Sequence, residues 1–174
     1  MKVPLNIGAL QQACTHLVER HESLRTVFLE KEGTVYQRIL PACEFRVMVH
    51  QCDDLDEERL QTLIAQNERF SFDLQAGPLL NIALHHCLKT DRHILLFNTH
   101  HMISDGWSLA NFVKELASML SAYYCHDQHC PDDQPLRLQF KDYVVWQHQQ
   151  MQSETGQASK QWWLQHLQFT ITSA

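Results

Sequence analysis

The chain has 174 residues, of which 44% are hydrophobic and 20% charged, and its formal net charge is -6. This composition is ordinary for one globular domain, and the acidic balance without a Lys/Arg-rich run argues against a nucleic-acid or anionic-membrane surface. No apolar run approaches the roughly 18 residues that span a bilayer, and the first residues lack a signal-peptide apolar region. We therefore expect one folding unit, located in the cytoplasm, that binds neither nucleic acid nor a membrane.

Scattered cysteines support the same location. There is no Cys-x-x-Cys pair, and most neighbours of the cysteines are apolar, so reduced packing cysteines are predicted rather than disulfides. The six are Cys14, Cys43, Cys52, Cys87, Cys125 and Cys130.

The first part of the chain predicts a helix followed by a hairpin. Asn6 is a good N-cap for a helix that ends near His21, because apolar residues follow it at helical spacing. Residues 20–28 then lead into an extended segment, a turn follows at Lys31–Gly33, and Thr34–Leu40 returns as the second strand. A further short strand is predicted at Phe45–His50.

The middle of the chain predicts a second helix and a second hairpin. The acidic run at residues 53–58 suits the start of a helix that carries Leu60, Leu63 and Ile64. Strand Leu79–Leu88 and the buried strand His93–Phe97 are separated by a four-residue polar turn.

Helices predominate after that hairpin. One is predicted from Gly106 to about Tyr124, a polar Pro-bearing loop follows at residues 125–135, and another helix opens at residues 138–147. The alternation of helices and strands predicts an α+β fold, an α/β sandwich in which helices cover a mixed, largely antiparallel sheet.

The most informative stretch joins the second hairpin to the long helix. Residues 98–108 read Asn-Thr-His-His-Met-Ile-Ser-Asp-Gly-Trp-Ser, so a strand delivers two adjacent histidines to a tight turn at Asp105-Gly106. Neighbouring strand residues face opposite ways, so His100 and His101 cannot both point into one pocket if the strand persists to His101. His-His-x-x-x-Asp-Gly in this setting resembles the signature of the condensation domains of nonribosomal peptide synthetases, which belong to the chloramphenicol acetyltransferase-like acyltransferases.

Three other stretches carry the same resemblance. Residues 20–28, Arg-His-Glu-Ser-Leu-Arg-Thr-Val-Phe, are similar to a second condensation-domain motif upstream of the histidines. Residues 138–147 resemble the family's aromatic motif, although Phe140 stands where tyrosine is usual, and residues 159–167 resemble the Trp-rich helix that follows it. The resemblance identifies residues 1–174 as a chloramphenicol acetyltransferase-like N-terminal subdomain that lacks the family's opening motif and the whole C-terminal subdomain.

The resemblance implies amide bond formation between two substrates held on phosphopantetheine arms of carrier proteins, with no cofactor bound directly. The expected partners are the peptidyl carrier domains of the donor and acceptor modules and the missing C-terminal subdomain. The acceptor's α-amine would attack the donor's thioester, so the protein must bring the two together and manage one proton and one developing charge.

The resemblance also assigns roles to the site residues. His101 is expected either to accept the proton of the attacking amine or to position it by a hydrogen bond, and His100 to fix the turn. Asp105 is expected to be structural, paired with Arg25, since a buried arginine needs an anionic partner. Gly106 would permit close backbone approach or a positive φ. Trp107 and Ser108 are expected to line the substrate tunnel.

Several alternatives remain open at this stage. An epimerisation domain carries the same histidine motif, a CoA-dependent acyltransferase carries a shorter form of it, and the chain alone could be a catalytically silent docking module. A metal site at His85, His86, His100 and His101 is sterically conceivable, but no Cys or Glu stands at a spacing that completes it, so no metal is predicted. The cysteines and histidines of residues 125–130 could suggest a zinc knuckle, but a polar helix end explains them better.

Overall fold

The structure is a computed structural model that describes residues 5–42, 44–125 and 135–167. The chain divides into two compact units, Met1–Leu136 and Arg137–Ala174. The sequence predicted one folding unit, and the difference arises because the last two helices pack on each other. The polar loop and the possible knuckle predicted at residues 125–135 lie almost wholly outside the described residues.

Five α-helices, one short 3-10 helix and five strands make up the described chain. In chain order they are α1 Ile7–Arg20, the 3-10 helix Glu22–Arg25, β1 Thr26–Lys31, β2 Thr34–Ile39, β3 Met48–Cys52, α2 Glu57–Glu68, β4 Leu80–Cys87, β5 Arg92–Thr99, α3 Gly106–Tyr124, α4 Phe140–Gln152 and α5 Glu154–Leu167. This arrangement confirms the predicted α+β fold.

The strands form two sheets rather than the single sheet that the sequence suggested. β1 and β2 make an antiparallel hairpin, whereas β4 pairs with β3 in parallel and with β5 in antiparallel orientation. The second sheet is mixed, as predicted, and β4 is its central strand. Five of the eight residues of β4 are buried, which explains its nearly continuous apolar sequence.

One strand begins later than predicted. Phe45 and Val47 are buried core residues, but β3 starts only at Met48. The side chain of Gln11 binds the carbonyl of Phe45 and, through its Oε1, the backbone N–H of Val47 at 2.9 Å. These side-chain bonds satisfy the backbone before the ladder begins.

Helices α1 and α3 pack on each other in antiparallel orientation. At the start of α1, Asn6 donates from its backbone N–H to the Tyr124 hydroxyl (2.6 Å) and from its side chain to the Tyr123 hydroxyl (2.9 Å). Just after the end of α1, His21 Nε2 lies 2.8 Å from Glu115 of α3. The core contains the inner faces of both helices and three residues of β4, Leu80, Ile82 and Leu84. This packing fixes α3, and with it the turn that connects α3 to β5.

The second unit is a pair of helices. Asp142 accepts a hydrogen bond from the backbone N–H of Gln139 (2.8 Å), and the two helices meet at Ser153. A Cβ at Gly156 would collide with backbone atoms of Gln150 and Met151, so only glycine permits this close approach. Several large apolar side chains of this unit are more than half exposed, among them Trp163, Leu164 and Met151.

Two expectations about the chain's environment can be compared with the structure. No helix within the described ranges has the length and apolar character needed to cross a bilayer. Cys14, Cys52, Cys87 and Cys125 are free thiols, as predicted, while Cys43 and Cys130 lie outside the described residues. Burial raises the pKa of the Cys14 thiol to about 12, so this group packs as a neutral apolar side chain.

Candidate active site

The end of β5 delivers the two histidines to a short, closed turn. The backbone N–H of His100 donates to the carbonyl of Leu79 (2.9 Å), one step beyond the β4–β5 ladder. The N–H of Ile103 then donates to the carbonyl of His100 (3.0 Å), and the Ile103 side chain is buried in the core. The motif is therefore anchored on both sides of His101.

His100 turns inward and is half-buried. Its ring lies edge-on to Phe72, with a centroid separation of 6.1 Å and an interplanar angle of 89°. Its Nδ1 accepts a hydrogen bond from the backbone N–H of Met102 (3.2 Å). In neutral His100 the proton therefore resides on Nε2, and the ring is part of the turn's own hydrogen bonding.

His101 is exposed, and its Nδ1 is a hydrogen-bond donor, whereas Nδ1 of His100 is an acceptor. Its Nδ1 lies 3.2 Å from the carbonyl oxygen of Ser104. A carbonyl can only accept, so Nδ1 carries the proton and Nε2 of the neutral ring keeps a free lone pair. Ser104 is itself held, because its hydroxyl donates to Thr99 Oγ1 at 3.0 Å. The turn thus orients His101 as a hydrogen-bond acceptor or base at Nε2.

Asp105 is the N-cap of α3. Its Oδ1 accepts from the backbone N–H of Ser108 at 2.8 Å and from the Ser108 hydroxyl at 2.7 Å. These two bonds, the backbone one first, lower the pKa of the Asp105 carboxyl below its usual value. The group is ionised at neutral pH and has no proton to give, while its negative charge suits the start of a helix.

The predicted ion pair between Arg25 and Asp105 is wrong in this structure, which describes both residues. Arg25 Nη1 donates to the carbonyl of Leu40 at 2.6 Å, and Nη2 lies 3.7 Å from Glu22 Oε1. The arginine ends the 3-10 helix beside the exit of β2, so the Leu40 carbonyl is a local acceptor. Asp105 is engaged at the start of α3, where Ser108 satisfies it.

Another carboxylate makes the connection that was assigned to Asp105. Glu115 Oε2 lies 3.3 Å from Arg20 Nε and 2.8 Å from His21 Nε2. The three side chains are between 11% and 24% exposed, so the contact is largely shielded from water. Residues 20–21 open the second motif, and Glu115 therefore links that motif to the helix that begins at Asp105.

The sequence reasoning did not identify Glu115. A signal existed, since Glu115 stands between the core positions Phe112 and Leu116 on a helix, and a carboxylate flanked by core positions needs a basic partner. Arg20 and His21 belong to the stretch that resembles the second motif, but an acidic partner was predicted only for Arg25 of that stretch.

The remaining predicted site residues lie at the first turn of α3. Gly106 is the first helical residue and does not have a positive φ, so that part of the expectation is wrong. A Cβ at Gly106 would meet no atom within 4 Å, so this chain alone does not require glycine there. Trp107 is 82% exposed, and Ser108 is bonded to Asp105.

A small cleft lies beside this helix start. It has a volume of about 130 Å³ and is lined by His21, Ser23, Leu24, Ile103, Ser108, Asn111 and Phe112. The cleft brings the two motifs into contact, since two of its lining residues belong to the histidine-turn motif and three to the second motif. It is too small to hold a substrate without further walls.

Comparisons with known proteins agree with what the turn at His100 and His101 and the motif at residues 20–28 indicate. The model of the condensation domain family matches residues 1–173. The chain belongs to the condensation domain family. A dimodular nonribosomal peptide synthase of Bacillus subtilis is 38% identical over 150 residues, which are 86% of this chain and 6% of that protein.

Solved structures extend the comparison to the fold. The X-domain in its complex with OxyB from teicoplanin biosynthesis matches with a TM-score of 0.80 and 28% identity, over 94% of this chain and 36% of that one. The epimerization domain from the third module of tyrocidine synthetase B matches with a TM-score of 0.77 and 25% identity, over 98% of this chain and 39% of that one. The condensation-domain chain therefore spans well under half of these proteins.

Proposed function

We propose that this condensation-domain chain supplies the histidine-bearing half of a catalyst that forms amide bonds in nonribosomal peptide synthesis. A donor acyl or peptidyl thioester on one carrier protein would react with the α-amine of an aminoacyl acceptor on another. The observation that carries the proposal is the exposed His101 ring, whose Nδ1 is bonded to the Ser104 carbonyl, so that Nε2 of the neutral ring is the unprotonated nitrogen.

The reaction needs few groups from the protein besides His101. An α-amine has a pKa of about 7.7 to 8.0 and a thioester is an activated acyl donor, so the reaction needs positioning and removal of one proton. When the amine nitrogen attacks the thioester carbon, a tetrahedral oxyanion forms. Collapse breaks the C–S bond and leaves a thiolate on the donor arm. His101 Nε2 accepts the proton of the attacking amine or holds that amine by a hydrogen bond.

The hydrogen bonds of the two nearby serines argue against a covalent acyl-serine intermediate. The Ser104 hydroxyl donates to Thr99, and the Ser108 hydroxyl donates to the Asp105 carboxylate. Neither hydroxyl contacts a histidine that could activate it as a nucleophile. Direct transfer from the donor thioester to the acceptor amine fits this arrangement better.

Asp105 and Glu115 act as positioning residues in this proposal. Asp105 fixes the start of α3 four residues after His101, and Glu115 ties the same helix to Arg20 and His21. Catalysis requires the reacting groups within a few tenths of an ångström of their productive geometry, so loosening either link is expected to reduce the rate.

The substrates and partners of the complete catalyst belong to the proposal, because the chain spans a minor part of its relatives. We infer that the substrates travel on phosphopantetheine arms of donor and acceptor carrier domains, and that a C-terminal subdomain supplies the second wall of a tunnel that includes Trp107 and Ser108. The chain alone is expected to have negligible condensation activity. A cytoplasmic location stays a prediction.

Epimerisation is the second candidate, because the tyrocidine epimerization domain is among the matching structures. That reaction would use a histidine to remove and return the α-proton of a tethered aminoacyl residue, with no new amide bond. The two functions therefore differ in the mass of the carrier-bound product.

An intact-mass assay separates these functions. The complete domain that contains this chain, as wild type and as His101→Ala, is mixed with donor-loaded and acceptor-loaded carrier proteins. The proposal expects a lengthened chain on the acceptor carrier with the wild type only. An unchanged mass, with an inverted α-carbon configuration in chiral chromatography of the released product, would support epimerisation instead. Equal product from the His101→Ala variant would remove His101 from the mechanism.

A further inference from the structure

The β4–β5 hairpin carries a second group of histidines at the end opposite to His101. His86 and His93 are directly paired across the two strands, and their rings stack with centroids 4.1 Å apart and an interplanar angle of 10°. Asp91, in the turn, places Oδ1 2.9 Å from His86 Nε2. Two imidazoles and one carboxylate thus meet on one face of the hairpin.

The spacing of these groups is close to that of a metal site. One ligand atom from each of His86, Asp91 and His93 can be chosen so that all three lie within 4.8 Å of one another. A tetrahedral ion with bonds of 2.0–2.2 Å needs ligand atoms about 3.4 Å apart. The side chains must therefore close by at most about 1.4 Å, which rotation about side-chain bonds can provide.

The surroundings permit that closure. Both histidines are half-buried, Asp91 is exposed, and the rings are held by strands rather than by a loop. Lys89, the nearby cation of the turn, lies 3.5 Å from Asp54, so a carboxylate already offsets its charge. Imidazole and carboxylate ligands together suit zinc, nickel and copper, with water in the remaining positions.

The opposite face of the same sheet offers an internal comparison. His85 follows the strand alternation to that face, where its ring stacks on His50 with centroids 4.8 Å apart. Within the part of the chain that the structure describes, the only group of three potential ligands is the one at His86, Asp91 and His93. The pair of His50 and His85 is therefore a matched control for histidine content.

We propose that His86, Asp91 and His93 form a binding site for a divalent transition-metal ion of the zinc type. Such an ion would cross-link β4 to β5 near their turn and stabilise the strand that leads to His101. The proposal departs from the sequence prediction that no metal is bound, and it does not depend on the proposed catalytic function.

The test is a zinc titration of the full chain, free of any purification tag, followed by calorimetry near neutral pH. Because thiolates in residues 125–130 could also bind zinc, every protein carries Cys125→Ser and Cys130→Ser. The variants are His86→Gln, His93→Gln and Asp91→Asn, with His50→Gln as the matched control. Asparagine is chosen at position 91 because it tolerates the positive φ of 51° found there.

The expected result is one zinc ion per chain in the parent and in His50→Gln, with affinity lowered by about tenfold or more in His86→Gln and His93→Gln. Zinc should raise the melting temperature of the parent and not of His93→Gln. Melting curves without metal show whether each variant is folded. If the parent binds no zinc, if the His86→Gln, Asp91→Asn and His93→Gln variants bind zinc as tightly as the parent, or if His50→Gln loses as much affinity as they do, the proposal is overturned.

Discussion

The two ends of β5 carry histidines in opposite arrangements. At the end near α3, His100 and His101 are adjacent in sequence, yet one packs against Phe72 and the other is exposed. At the hairpin end, His86 and His93 are seven residues apart, yet their rings stack. Strand pairing joins His86 and His93, whereas His100 and His101 lie just beyond the end of β5 at Thr99, where the turn separates their rings. Two histidines in a sequence therefore do not predict whether their rings meet until the strand that carries them and its pairing are known.

The largest expected effect is on the condensation rate, and it distinguishes the two ends of β5. In the complete domain, His101→Ala should lower the condensation rate by about 100-fold or more, since a proton acceptor or positioning group at Nε2 is lost. His93→Ala, which removes an imidazole from the other end of the same strand, should lower the rate far less than His101→Ala does. Single-turnover measurement of carrier-bound product checks both, and equal losses would show that the comparison has no functional meaning.

A smaller effect is expected at the link between the two motifs. Glu115→Gln keeps the shape of the side chain but removes the charge that faces Arg20 and His21, so it should destabilise the fold by about 2 kcal/mol. Chemical denaturation measures this loss.

Glu58, an exposed residue of α2, provides the control for that substitution. Glu58→Gln should change the free energy of unfolding by less than about 0.5 kcal/mol. If both variants unfold at the same denaturant concentration, Glu115 does not hold α3 to the second motif.

The N-caps of α3 and α2 allow a similar comparison, between a residue beside His101 and one at another helix, with a smaller expected effect. Asp105 and Asp56 each accept a 2.8 Å bond from the backbone N–H three residues ahead, at the starts of α3 and α2. Asp105→Ala and Asp56→Ala should lower the melting temperature by similar amounts, because each loses one N-cap. Only Asp105→Ala should also slow condensation, because only that cap lies beside His101.

The lowered pKa of Asp105 adds a pH signature to the cap. A carboxyl whose folded pKa lies below its unfolded value contributes stability above the unfolded value, near 3.9, and loses it as the pH falls through the folded value. The difference in melting temperature between wild type and Asp105→Ala should therefore be constant at neutral pH and shrink in acid. A difference that persisted unchanged below both values would contradict the assignment of the cap.

The smallest effect concerns His85 at the hairpin end. Burial, and secondarily the neighbouring His50, lower the pKa of His85 below its ordinary 6.5. The unfolded chain then binds more protons below pH 6.5, so this residue costs stability as the pH falls through that region. Melting curves of His85→Gln should show a weaker acid loss than those of the wild type. An identical pH dependence would indicate that His85 is not shielded.

Much of the architecture was predictable from local pattern. The helix after Asn6, both hairpins and the helix after Gly106 follow apolar spacing and turn residues, and their ends agree with the structure within a few residues. The onset of β3 was not predictable, because Phe45 and Val47 are apolar like strand residues but are satisfied by the side chain of Gln11. Such a contact spans more than thirty residues and leaves no local signature.

The candidate site was also predicted only in part. The order of strand, His-His, turn and helix was predicted. Opposite facing of the two rings was expected from a strand that persists to His101, but β5 ends at Thr99 and the turn separates the rings. The partner of Asp105 was not predicted, because the sequence does not choose between Ser108, three residues ahead on the helix, and the distant Arg25. Sequence reasoning also judged His86 with its sequence neighbour His85, whereas the sheet pairs it with His93.

The most direct test of the account is the tautomeric state of the two adjacent histidines, measured by imidazole nitrogen NMR on the chain labelled with ¹⁵N. The account predicts that neutral His101 carries its proton on Nδ1, with an unprotonated Nε2, and that neutral His100 carries it on Nε2. Signals that place the proton of His101 on Nε2 would contradict the claim that the turn presents this nitrogen as the acceptor for the reacting amine.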